Sequence, residues 1–254
     1  MGKRLIIQLP SHPMFMLLFI FLALTPLIWL YLIPRALALA FQPLGLSLSV
    51  GYAIALAMVL LSMMFSVVNI AVMEIPRQVT MPEIEIEYVS IFGIPYPIPR
   101  IRLVGSKTII AVNVGGAVIP LVISILILVL MSMNFKALPA LLVALTVTVL
   151  VALVSHAFSR VVPGVGIVVP ALIPPLAATI SSIALSSLAG IMELAPAIAY
   201  AGAVIGTLIG ADMVNLVKHF DKLQSPLVSI GGAGTFDGIY LSGIMALFLA
   251  LLFT

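Results

Sequence analysis

The chain has 254 residues, 63% of them hydrophobic and 7% charged, with a mean hydropathy of +1.36, whereas an average soluble domain carries roughly 25% charged residues. That composition excludes a soluble globular protein, and repeated apolar runs of about 20 residues point to one bundle of transmembrane helices in a lipid bilayer. Eleven Lys and Arg against eight Asp and Glu make no nucleic-acid surface here, zero cysteines exclude disulfides and thiolate sites, and three histidines without ligand spacing leave no metal or cofactor expected.

In chain order, Lys3 and Arg4 precede an apolar run from Met14 to about Ile33. It exceeds the roughly 7–15 residues of a signal-peptide core, so it reads as a retained first helix. Ala36, Ala38 and Ala40 imitate a cleavage site and keep a cleaved signal as the alternative. A second helix is expected from about Ser47 to Val72, with Asn69 bonding a neighbouring helix. Then Glu83, Glu85 and Glu87 alternate with Ile84, Ile86 and Tyr88, and after Phe92 to Pro99 the pair Arg100 and Arg102 flanks Ile101. This two-residue period predicts a small cytoplasmic β-hairpin over 80–104, between helices 2 and 3. Its acidic and basic arms would pair across strands for ~0.2–1 kcal/mol each. It serves either as a cap on the bundle or as an edge that recruits an extended peptide.

The third helix, about Ile109 to Met133, contains Asn113, Gly115, Gly116 and Pro120, so its first turns can pack tightly or unwind. The fourth runs from about Leu138 to Ala157. Pro163-Gly164-Val165-Gly166, Pro170-Ala171-Leu172 and Pro174-Pro175 then interrupt apolar sequence, which predicts a fifth helix broken or re-entrant and enclosed by the bundle. Ser181, Ser182, Ser186 and Ser187 read as packing residues, because no His or Lys lies close in sequence to activate them. The sixth helix is expected from about Ala197 to Val217 and the seventh from Ser229 to the C-terminus. Gly202, Gly206 and Gly210 recur every four residues, as do Gly234, Gly238 and Ser242. If these small-residue ridges face one another, the aspartates beside them meet.

The expected architecture is therefore an all-α integral membrane protein, one domain over 1–254, with about seven transmembrane helices. Threading the chain with its N-terminus cytoplasmic puts Lys3, Arg4, Arg77, Arg100, Arg102, Lys107, Arg160, Lys218 and Lys222 inside and only Arg35 and Lys136 outside. Nine against two follows the positive-inside rule for a multi-pass cell-membrane protein with an external C-terminus. His156, His219 and Asp221 fall at cytoplasmic helix ends as solvated flanks, and Glu193 falls in an external loop.

Asp212 and Asp237 are the two carboxylates placed within apolar helices, and an ionisable group at membrane depth is by default functional. Both lie at similar depth, roughly 8–12 Å below the cytoplasmic surface at ~1.5 Å per residue. Two carboxyls held a few Å apart do not both ionise readily, the arrangement by which aspartic proteases activate a water and protonate the departing amine. Gly210, Asn215, Gly234, Gly238, Asn113 and Pro170 are the expected supporting residues.

An aspartate at the cytoplasmic end of one helix, a loop, and a second aspartate after a glycine-rich lead-in together resemble the catalytic core of the presenilin and signal-peptide-peptidase type of intramembrane aspartyl proteases. The resemblance covers about Gly202 to Leu249 and implies Asp212 and Asp237 as catalytic, with a transmembrane peptide as substrate. That family also carries Pro-Ala-Leu after its aspartates; here Pro170-Ala171-Leu172 precedes them. The whole chain, particularly Asn113-Val114-Gly115-Gly116, Gly210-Ala211-Asp212 and Gly231 to Gly238, also resembles a prokaryotic membrane protein family of unknown function. Two other readings stand beside the protease. The aspartates with Asn113, Asn215 and broken backbone suit a cation or proton site. Alternatively, they bond Asn215, Thr207 or Thr235 and only hold helices together.

Overall fold

The computed structural model describes residues 24–91, 94–134, 136–162, 166–218 and 227–254, with backbone alone over 76–107 and at 166. Lys3, Arg4, the expected helix start at Met14, Phe92, Gly93, Pro163 to Val165, His219, Asp221 and Lys222 lie outside the described residues.

Five helices are long and apolar enough to cross a membrane: α1 (Leu24–Leu44), α2 (Leu48–Val67), α3 (Val114–Ser132), α4 (Ala137–Phe158) and α6 (Met192–Lys218). Two more, α5 (Ile173–Leu188) and α7 (Gly238–Leu251), are apolar but shorter. The most apolar-window burial belongs to α6, at 83% against 22–50% for the other four, so α6 is the centre of the bundle and the others face outward. About half of the residues over Ala195–Thr207 are Ala or Gly, which lets neighbouring backbones approach closely without a water-driven hydrophobic term.

The small-residue ridges do not face each other. A Cβ at Gly202, Gly206 or Gly210 would strike Val147, Val151 or Ala152, so that ridge receives α4. The α6–α7 seam is instead made by Gly243 against Tyr200 and Val204, and by Thr207 donating to Ser242 Oγ at 3.2 Å. Helical drift explains the change, since the 202/206/210 row and the Tyr200/Val204/Thr207 row occupy different faces of one helix.

The chain is mostly helical, with more β-structure than one short hairpin. Strand β1 (Asn69–Ile91) pairs antiparallel with β2 (Ile94–Asn113), so the pairing extends well beyond 80–104 and takes the ends of the expected second and third helices. Ile70, Val72, Ile75, Thr108, Ile109, Ile110 and Val112 are β-branched and lose rotamer freedom in a helix, and Pro76 removes a helix donor. Within the expected hairpin the register sets Glu83 opposite Arg102 and Glu85 opposite Arg100. The last turn of β2 also pairs, in parallel, with β5 (Leu227–Ile230), from Ile109 opposite Leu227 to Val112 opposite Ile230.

The Pro-rich segment is not a broken helix. Residues Arg160–Val162 (β3) and Gly166–Val168 (β4) form a two-stranded sheet, and α5 starts after it with Pro174 and Pro175 in its first turn, where missing N–H groups cost nothing. Helical irregularity falls elsewhere, in π turns at Ile28–Leu32, Val114–Val118 and Leu208–Met213. In α1, Ala36, Ala38 and Ala40 are buried in continuous helix rather than lying in an extended cleavage segment. On the opposite end of the bundle from the β-strands, Lys136 Nζ reaches Glu193 Oε1 and the Gly190 carbonyl, each at 2.9 Å, joining the start of α4 to the α5–α6 turn.

Candidate functional site: a carboxyl pair at the end of the bundle

Asp212 sits in the π turn Leu208–Met213 of α6, not in regular helix. A π turn leaves carbonyls out of the ordinary ladder, and such bulges recur at functional positions. Asn215 satisfies them: its Nδ2 donates to the Ala211 carbonyl at 2.7 Å, to the Gly210 carbonyl at 3.3 Å and to Ser159 Oγ at 2.6 Å. Gly210 allows the bulge to press on α4, because a side chain there would meet the Ala152 backbone. Replacing Asn215, which is 2% exposed, with Ala should lower stability by about 1–3 kcal/mol through stranded buried partners. A thermal midpoint for N215A equal to the parent's would contradict that account.

Asp237 is the N-cap of α7, rather than a residue eight positions into a helix starting at Ser229. Strand β5 and a turn occupy the intervening chain. Gly231 and Gly234 have φ of +72° and +63°, values that L side chains rarely adopt, and they bend the loop so that Asp237 reaches the helix start. The Asp237 carboxylate accepts from Ile239 N at 3.0 Å and from Ala233 N at 3.4 Å.

Both carboxyls wall the same two cavities. The larger, about 340 Å³, is bounded by Asp212 and Leu216 of α6, Ile167 of β4, the Leu227–Ala233 stretch and Asp237. The smaller, about 160 Å³, is bounded by Ile167–Val169, Thr207, Ala211, Asp212 and Asp237–Ile239. Asp212 and Asp237 are both half-buried, and among the described residues no hydrogen bond holds the Asp212 carboxyl. Of the side chains expected to bond a purely structural aspartate, Asn215 is engaged on the π turn and Thr207 on Ser242, whereas Asp237 is itself held by two backbone N–H groups as the cap of α7.

Of the supporting residues read from sequence, Gly238 lines the smaller cavity, Gly210 and Asn215 shape the π turn, and Gly234 bends the loop. Asn113 and Pro170 wall neither cavity. Asn113 closes β2 and accepts from Gly116 N at 2.8 Å, and Pro170 opens the turn before α5, accepting from Ile173 N at 3.1 Å. The Pro-rich segment still reaches the site through the residues before Pro170, with Val169 Cγ1 3.6 Å from where a Cβ on Gly238 would lie. Ile167, Val168 and the Leu227–Ile230 strand were not read as site residues. For Ile167 and Val168 the signal was a β-branched run of Ile and Val between Gly166 and Pro170, which suits a short strand better than a helix. His156 Nε2 lies 3.0 Å from Lys218 Nζ, away from both cavities.

Residues 63–249 match the family model described as a protein of unknown function, DUF1614. The chain belongs to the DUF1614 family. The matched region runs from the end of α2 into α7 and includes Asp212, Asp237 and the loop between them. No curated protein and no solved structure matches the chain.

Proposed function

We propose that this DUF1614 protein is an intramembrane aspartyl endopeptidase that hydrolyses a peptide bond of a transmembrane substrate with the Asp212/Asp237 pair. The observation that carries the reading is the pair itself: two carboxyls from separate elements line one roomy cavity, and Asn215 and Thr207, two side chains that could bond them as helix glue, are bonded elsewhere. One carboxylate takes a proton from a water whose oxygen adds to the scissile carbonyl carbon. The other carboxyl gives its proton to the departing nitrogen as the C–N bond breaks, leaving a new carboxyl end and a new amine. The cavity wall suits an extended peptide, because β5 is one of the two edge strands of the β1–β2–β5 sheet among the described residues and lies against the larger cavity. Sheet edges recruit extended chains through main-chain hydrogen bonds.

The topology that goes with this reading is seven crossings in the cell membrane, with α5 and α7 completing the five long spans, the N-terminus cytoplasmic and the C-terminus external. Charge placement supports it, since nine of the eleven cationic residues then fall on the cytoplasmic side, the side of the carboxyl pair.

The test uses the purified full chain in lipid vesicles with a fluorescent transmembrane peptide, in water enriched in ¹⁸O. A cut inside the apolar segment, with ¹⁸O in the new carboxyl group, is the expected result. No cleavage of a panel of transmembrane peptides, together with aspartate-dependent cation or proton flux in sealed vesicles, overturns the protease in favour of an ion site.

A further inference from the structure

The loop that delivers Asp237 hangs on the membrane end of the β1–β2 hairpin. Two side chains from the α2–β1 junction hold it near its two ends. Ser66 Oγ accepts from Thr235 N at 3.2 Å while donating to the Ser62 carbonyl at 2.7 Å. Asn69 Oδ1 accepts from Ser229 Oγ at 2.5 Å and from Asn113 Nδ2 at 3.2 Å. Asn113, fully buried, links the two by donating also to the Ser66 carbonyl at 2.7 Å. Backbone packing completes the grip, since a side chain at Gly116 would strike the Gly231 and Gly234 carbonyls, and one at Gly234 would lie 2.6 Å from Ser66 Cβ. Thr235 is two residues from Asp237, so the loop's position sets where that carboxylate stands.

We propose that the base of the β1–β2 hairpin is a positioning clamp for Asp237, with Ser66 and Asn69 as its positioning residues. The proposal rests on the reading of Asp237 as a reacting carboxyl. It also gives the hairpin a role that a cap lacks: β2 pairs with β5, Asn69 bonds Ser229 within β5, and Ser66 bonds Thr235 beyond the turn, so a displacement of the hairpin base is passed to the site. Misplacement of a reacting group by about 1 Å costs on the order of a hundredfold in rate.

The experiment compares the full-length parent with S66A, N69A and N69D in nanodiscs, reading amide hydrogen exchange by residue and kcat and KM for a transmembrane peptide. S66A and N69A should exchange faster across 229–237 with α4 and α6 unchanged, and should lose about tenfold to a hundredfold in kcat at nearly constant KM. N69D keeps an acceptor for both Ser229 and Asn113, so it should match the parent in both readouts. Parental exchange in S66A and N69A overturns the clamp, as does faster exchange spread over the whole chain. Faster loop exchange with unchanged kcat overturns the positioning role. If the parent and D237N are equally inactive, the protease reading fails, while the exchange measurement still decides whether the clamp exists.

Discussion

Asp212→Asn and Asp237→Asn are each expected to lower cleavage of a transmembrane peptide by roughly 10²–10⁴-fold, the range supplied by one positioned acid or base. Asn has nearly the shape of Asp and neither takes nor gives a proton at neutral pH, so it separates chemistry from packing. At position 237 this separation is clean. Asn is as good an N-cap as Asp, so D237N should keep the bond from Ile239 N and the parental thermal midpoint, whereas Asp237→Ala should lose about 0.5–2 kcal/mol with the cap. The two carboxyls act as a unit, so the double Asn variant should be little slower than either single one. Full cleavage by either single variant sinks the dyad; rates that multiply in the double variant would mean two independent contributions.

The second large effect belongs to Gly231→Ala. At φ +72° an L residue costs about 1–2 kcal/mol in backbone strain. The new Cβ also lies 2.7 Å from Ala117 Cβ and 2.8 Å from Ala117 N, an overpacking cost of about 1–3 kcal/mol. The sum, roughly 2–5 kcal/mol, falls on the loop that delivers Asp237, so cleavage should be lost even where the bundle persists. Gly190→Ala is the matched control, because Gly190 has a similar φ of +65° but nothing within 4 Å of the added Cβ. It should lose only the strain, about 1–2 kcal/mol, and retain activity. Unfolding midpoints that coincide for the two variants would show that the approach of the loop to α3 is looser than described.

The membrane setting and the helical majority were legible in the residues themselves, and Asp212 and Asp237 stood out there as rare charges in apolar sequence. Hydrocarbon tolerates neither charge nor unsatisfied backbone, so long apolar runs and rare aspartates carry their meaning without a fold. The pairing of an acidic arm with a basic arm was legible from the period-two alternation, while the register that sets Glu83 and Glu85 against Arg102 and Arg100 came from the structure. The helix ends were not legible. From Ile70 to Met73 and from Ile109 to Val112 the sequence is apolar, which suits a span as well as a strand, and only the partner strand decides between them. The same ambiguity hid β5 inside the expected seventh helix.

By itself the sequence determined a polytopic membrane protein with an aspartate near the end of one helix and another near the start of the next. Tertiary structure alone decided how they meet. The route is not ridge against ridge, because the glycine row of α6 is spent on α4. A π turn stabilised by Asn215 carries Asp212, and a left-handed glycine loop held by Ser66 and Asn69 carries Asp237 to the wall of the same cavity. Those contacts join residues more than 150 positions apart in the case of Ser66 and Thr235, or Asn69 and Ser229. Local periodicity extends over a turn or two of chain and holds no information on such pairs, whereas packing and hydrogen-bond satisfaction across the bundle select them.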